Sequence, residues 1–214
     1  MAKEKTEPNP KLYENWKKVF RAIPGFENCT CLRRARTPKG RDPDFFLLSP
    51  EPEPRIGLVE CEGYKGKNGI DKRIAPIGVE QLLTYLDGYA ASIGDGKAIL
   101  ESVVKDAFLK DKRKGKRYQR GEVNRTHWKG GLEVWMRQID PSIRSEDDLA
   151  ELLRRASQNL VPILLYYRLS KLEDADERVL SLAFRRHRLY VGAVKWPNAD
   201  GLISGRYMSA ESSG

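Results

Sequence analysis

The chain has 214 residues, 40% of them hydrophobic and 32% charged, and a net charge of +9 with a pI near 9.4. That apolar share suffices for a packed core and excludes a disordered chain, while the longest apolar runs, such as Val161 to Tyr167, are too short to cross a bilayer. The surplus of positive charge favours an anionic partner, of which nucleic acid is the commonest.

Residues 1–10 are polar, carry Pro8 and Pro10, and predict a frayed tail ahead of one domain spanning 11–214. Met1-Ala2-Lys3-Glu4-Lys5 leads into no apolar stretch, so no secretory signal is read. Leu12, Trp16, Val19 and Phe20 recur at helical spacing until Pro24-Gly25 stops them. A first short strand is expected from Cys29 to Arg34, and a second at Phe45-Phe46-Leu47-Leu48. The proline-dense stretch from Pro50 to Pro54 cannot continue a sheet and predicts a turn. A third strand, Ile56 to Val59, runs into Glu60-Cys61-Glu62 and then a glycine- and lysine-rich loop, 63–69.

From Gly78 to Ala91, Val79, Leu82, Leu83, Leu86, Tyr89 and Ala90 predict an amphipathic helix, and a second follows over Lys97 to Leu109. The stretch from Lys110 to Arg125 holds Lys112, Arg113, Lys114, Lys116, Arg117 and Arg120 with few acids, and Gly115 and Gly121 predict a basic arm. His127 and Trp128, beside Lys129-Gly130-Gly131, are expected in a loop that could contact nucleic acid. Ser145 and Asp148 have capping-box spacing before a helix over 146–158. Val161 to Arg168 predicts a buried strand. Val179 to Phe184 and Leu189 to Lys195 predict two more, joined by Arg185-Arg186-His187-Arg188, with a helix from Ala175 as the alternative for the first. This last part forms a C-terminal α/β extension.

The chemistry concentrates on three carboxylates. Residues of a strand alternate faces, so Glu60 and Glu62 share one side and Cys61 takes the other. Asp44 opens the preceding apolar run, and a hairpin through the proline-rich turn would bring it near Glu60. Three acids so placed repel one another unless a cation neutralises them, and hard oxygen ligands suit magnesium or manganese.

In Arg41-Asp42-Pro43-Asp44-Phe45-Phe46, the Pro-Asp pair followed after a spacer by Glu60-Cys61-Glu62 resembles the PD-(D/E)xK nuclease superfamily. Gln81-Leu82-Leu83-Thr84-Tyr85 is similar to the Gln-x-x-x-Tyr helix motif of its RecB-like branch, with Gln81 and Tyr85 on one helix face. The resemblance covers about residues 12–92. It implies an α/β, restriction-endonuclease-like core, a central mixed β-sheet flanked by α-helices. It also implies metal-dependent hydrolysis of DNA phosphodiester bonds by a Mg²⁺-activated water. Asp44 and Glu60 would bind Mg²⁺ (or Mn²⁺), with Glu62 a further ligand or base, and Gln81 and Tyr85 would position the strand. Glu62 departs from the family, which usually has lysine there. Lys65 can supply the missing cation if Gly63 forms a bulge, with Lys67 and Lys72 as weaker candidates.

Cys29, Cys31 and Cys61 are an odd, low count that fits a reducing compartment, so the expected location is cytoplasmic, cellular or virus-encoded in a host cytoplasm. They are read as structural thiols, because neither His127 nor His187 lies at zinc-finger spacing. No iron–sulfur cluster is expected, since three cysteines cannot reproduce the four-cysteine site of some RecB-like relatives. The expected partner is DNA, single- or double-stranded, gripped by the basic arm and the Arg185 to Arg188 turn, with no membrane. Cutting both strands of a duplex would favour a homodimer, although no segment specifies an interface. Two other readings stand beside the nuclease. One is a catalytically inactive DNA-binding protein that retains the fold, with Glu62 marking the loss; the other is an assembly protein whose basic arm meets a genome or an acidic partner.

Overall fold

A computed structural model describes residues 10–33, 38, 43–62, 74–107, 125–168, 187–195 and 201–208. Six strands form one mixed sheet: β1 (Thr30–Arg33), β2 (Phe45–Ser49), β3 (Arg55–Glu62), β4 (Leu160–Arg168), β5 (Tyr190–Lys195) and β6 (Leu202–Tyr207), side by side in chain order. The first three are antiparallel neighbours, β3, β4 and β5 are parallel, and β6 turns back antiparallel on β5. The described helices are α1 (Pro10–Arg21), α2 (Ile74–Ala90), α3 (Gly96–Ala107), α4 (Arg125–Ile139) and α5 (Glu146–Ala156). The protein is thus α/β, with a six-stranded mixed sheet and helices packed against it.

Alternation along the strands divides the helices between two faces. Phe46, Leu48, Ile56, Leu58, Leu164 and Val191 pack with residues of α2, α3, α4 and α5. Phe45, Leu47, Val59, Ile163, Leu165 and Tyr190 pack with Trp16, Val19 and Phe20 of α1, and with Ile23 and Phe26 after it. Each fully buried side chain of this size contributes about 1.5–3 kcal/mol. A parallel pair such as β3 and β4 cannot be joined by a tight turn. The connection from β3 to β4 carries α2 to α5, all of them on one face.

Local signals explain most elements. Proline is tolerated at the first turn of a helix, and α1 begins at Pro10. Lys18 and Arg21 in its last turn suit the negative end of its dipole. The chain then reverses through Gly25, whose φ of 86° is costly for a residue with a Cβ. Tyr207 secures that turn by donating its hydroxyl to the Pro24 carbonyl at 2.7 Å. The Ser145 hydroxyl accepts from the Asp148 N–H at 3.1 Å, and the Asp148 carboxylate accepts from the Ser145 N–H at 2.9 Å, the reciprocal pair expected from their spacing.

One expectation needs correction. His127 and Trp128 belong to α4, not to a loop. Gly130 and Gly131 cost about 1 kcal/mol each in a helix and obscured it in the sequence, but Leu132, Trp135, Met136 and Ile139 recur at helical spacing and are all buried. β6, by contrast, is announced by no apolar run. Its residues are all partly buried or exposed, as suits an edge strand, and a Cβ at Gly205 would collide with the Tyr190 hydroxyl. The segments from Lys110 to Asn124 and from Val179 to Phe184 lie outside the described residues.

Candidate active site

The hairpin of β2 and β3 closes through residues 50–54, so its open end holds Asp44 and Glu60. Phe45 is in register with Val59; Asp44 immediately precedes the one and Glu60 immediately follows the other. The two acids therefore stand across from each other on neighbouring strands. Asp44 is exposed, and its Oδ2 accepts a hydrogen bond of 3.0 Å from the backbone N–H of Cys61. That bond ties its carboxylate to the strand carrying Glu60.

Glu60 is buried, only 7% exposed. In a parallel pair of strands it lies in register with Leu164, which faces the helices α2 to α5. From that side Tyr85 of α2 donates its hydroxyl to Glu60 Oε2 at 3.0 Å. Burial first, and then the negative charge of Glu60, push the Tyr85 phenol well above its ordinary range; Asp44 adds to the effect, so both acids lie near this hydroxyl. Gln81, one helical turn earlier, donates to the phenol oxygen and works in the opposite direction. Gln81, Tyr85 and Glu60 thus form a polar chain, and Tyr85 remains a neutral donor throughout the physiological range.

The structure brings together Asp44, Glu60, Gln81 and Tyr85. Glu62 is the last residue of β3, in register with Tyr166, but its side chain lies outside the described residues. So do Lys65, Lys67 and Lys72, and the basic residues Lys112, Arg113, Lys114, Lys116, Arg117 and Arg120. Tyr166 is a further neighbour, with no signal in the apolar run of β4 to set it apart. Only register identifies it, as it sits beside Glu62 and two residues on from the level of Glu60. Among the described residues no group of three His, Cys, Asp or Glu side chains could hold a metal. The donor set of Asp44 and Glu60 nonetheless fits Mg²⁺, which commonly takes one or two protein carboxylates and completes its shell with water and substrate phosphate.

Cys29 and Cys31 are buried on the α1 side of the sheet, and Cys61 is half-buried against the same cluster. Burial above all, with Cys31 beside it, pushes the Cys29 thiol up to about 12. It is a packing residue rather than a nucleophile. No described helix is long and apolar enough to cross a membrane. The chain matches no family model, no curated protein and no solved structure.

Proposed function

We propose that this protein is a Mg²⁺-dependent deoxyribonuclease, a phosphodiester hydrolase whose sheet and helices form a restriction-endonuclease-like core. One observation carries the reading. Asp44, Glu60 and the Gln81/Tyr85 pair come from three separate elements and meet at the open end of one hairpin. Burying a carboxylate is costly without compensation, and Glu60 is held there by a neutral donor beside a second carboxylate. Its resemblance to the PD-(D/E)xK nucleases adds support from the order and spacing of the same residues.

Asp44 and Glu60 would hold the Mg²⁺ ion, which when bound lowers the pKa of a water and offsets charge on the phosphate. The Cys61 N–H fixes the orientation of Asp44, and the Tyr85 hydroxyl fixes that of Glu60. Gln81 in turn holds the phenol oxygen, so the pair is set before substrate arrives, and such preorganisation lowers the cost of reaching the transition state. Glu62 would be a further ligand or a base, and Lys65 would stand in for the lysine that the family usually has at the position of Glu62. The net charge of +9 provides the sequence-independent attraction to DNA. Glu62 at the usual lysine position is the one feature that favours the second reading, a DNA-binding protein without activity.

Labelled single- and double-stranded DNA incubated with Mg²⁺, Mn²⁺ or EDTA separates the two. The nuclease cuts with either metal and stops in EDTA, and Asp44→Asn lowers the rate on the order of 100-fold or more. Binding without cutting in both metals would leave the inactive reading in its place.

A further inference from the structure

Each acid of the candidate site has one oxygen held by a donor that the fold fixes in place. Asp44 Oδ2 accepts from the Cys61 N–H at 3.0 Å, and that N–H is part of the β3 backbone. Glu60 Oε2 accepts from the Tyr85 hydroxyl, also at 3.0 Å. Tyr85 is 3% exposed within the cluster that α2 forms with the sheet, and Gln81 donates to its oxygen. Hydrogen bonds of this kind orient a carboxylate before it meets a metal and tune how it does so.

Hard cations differ in what they ask of a carboxylate. Mg²⁺ demands a near-octahedral shell at about 2.0–2.1 Å, takes few protein ligands and keeps several waters. Ca²⁺ collects roughly six to eight oxygens at about 2.3–2.6 Å and often takes both oxygens of one carboxylate. The choice between them therefore turns on the number of ligand oxygens and on their freedom to move. Taking Glu60 through both oxygens requires Oε2 to leave Tyr85. That breaks a bond to a charged group inside the core, where Glu60 is buried and the phenol would lose its acceptor.

We propose that Tyr85 determines which cation the site takes, by holding Glu60 to one oxygen as the Cys61 N–H holds Asp44. The pair then gives a shared ion Oδ1 of Asp44 and Oε1 of Glu60, an arrangement that favours Mg²⁺ and Mn²⁺ over Ca²⁺. Tyr85 acts through Glu60 and is a positioning residue. The inference rests on the nuclease reading for the cation itself, but it concerns the choice of ion and not the rate of cutting. Two single oxygens also leave most of an octahedral shell to water and to the oxygens of the substrate phosphate.

The test uses the full chain without DNA. Bound Mn²⁺ is followed by electron paramagnetic resonance while Mg²⁺ or Ca²⁺ is added as competitor. In wild type, Ca²⁺ should displace Mn²⁺ no better than Mg²⁺ does. In Tyr85→Phe the ratio of Ca²⁺ to Mg²⁺ affinity should rise about tenfold, since Glu60 can then offer both oxygens. The ratio cancels any loss that the variant causes for every ion alike, so a packing role alone leaves it unchanged. Gln81→Leu, which removes the donor to the phenol oxygen and keeps Tyr85, should shift the ratio the same way by about threefold. That variant decides the matter if Tyr85→Phe does not fold. A ratio equal to that of wild type in the folded variants would overturn the role of Tyr85, as would a wild type that prefers Ca²⁺ to Mg²⁺. A wild type that binds Mn²⁺, Mg²⁺ and Ca²⁺ not at all would overturn the metal-dependent reading itself, a result distinct from any change of preference.

Discussion

Tyr85 and Glu60 are the residues on which the site turns. A hydrogen bond to a charged group contributes about 1.5–3 kcal/mol, and a buried carboxylate deprived of it keeps its desolvation cost. Tyr85→Phe should therefore lower the unfolding free energy by about 1–3 kcal/mol and slow cutting roughly tenfold, since Glu60 then loses its fixed orientation. Urea denaturation and single-turnover cutting would measure the two effects. If the hydroxyl is a packing feature only, stability falls and the rate per folded molecule does not. Cys29 gives a prediction of a different kind. Its folded-state pKa is raised to about 12, so the folded protein keeps the thiol protonated while the unfolded chain ionises it above about 8.5. This contribution is fully present below about pH 8.5 and is lost as pH climbs toward 12. Between pH 8.5 and 10 stability should fall by up to about 2 kcal/mol, and Cys29→Ala should flatten that slope in denaturant titrations.

At the scale of elements, close approach matters as much as propensity. A Cβ on Gly96 would run into the Ala150 carbonyl, with the Arg154 nitrogen 2.9 Å away, so α3 meets the backbone of α5 at this residue. Gly96→Ala should push the two helices apart and cost about 1–3 kcal/mol, read as a lowered melting temperature. An unchanged temperature would mean that the two helices shift without loss. Glycine also limited what could be read from the chain. Gly130-Gly131 hid α4, and Gly205 with its polar neighbours hid β6, because both elements are held by tertiary contacts rather than by local preference. Elements with a strong local signal were legible: the apolar period of α1 and α5, the capping residues Ser145 and Asp148, and the runs that became β2, β3 and β4. The start of α2 at Ile74, ahead of Pro76 and Gly78, was missed for the same reason as α4.

Across the whole molecule, two antiparallel strands bring acids together and three further strands carry only basic charge. The hairpin that pairs Asp44 with Glu60 could be inferred from the proline turn and the two apolar runs. The Gln81–Tyr85–Glu60 chain could be inferred only in part: the helix spacing put Gln81 and Tyr85 on one face, but nothing local says that this face meets β3. Tyr166 was not legible as a neighbour of the site, because sheet order and register come from contacts between distant segments. On the proposed function, Asp44 and Glu60 together hold a hard divalent cation. Mn²⁺ titration followed by electron paramagnetic resonance tests it without reference to turnover, using wild type, Asp44→Asn and Glu60→Gln with matched circular dichroism. Binding weakened at least about tenfold in each variant, a loss of about 1.4 kcal/mol, is the predicted result. Mn²⁺ affinity equal to that of wild type in both variants would show that Asp44 and Glu60 do not hold the cation.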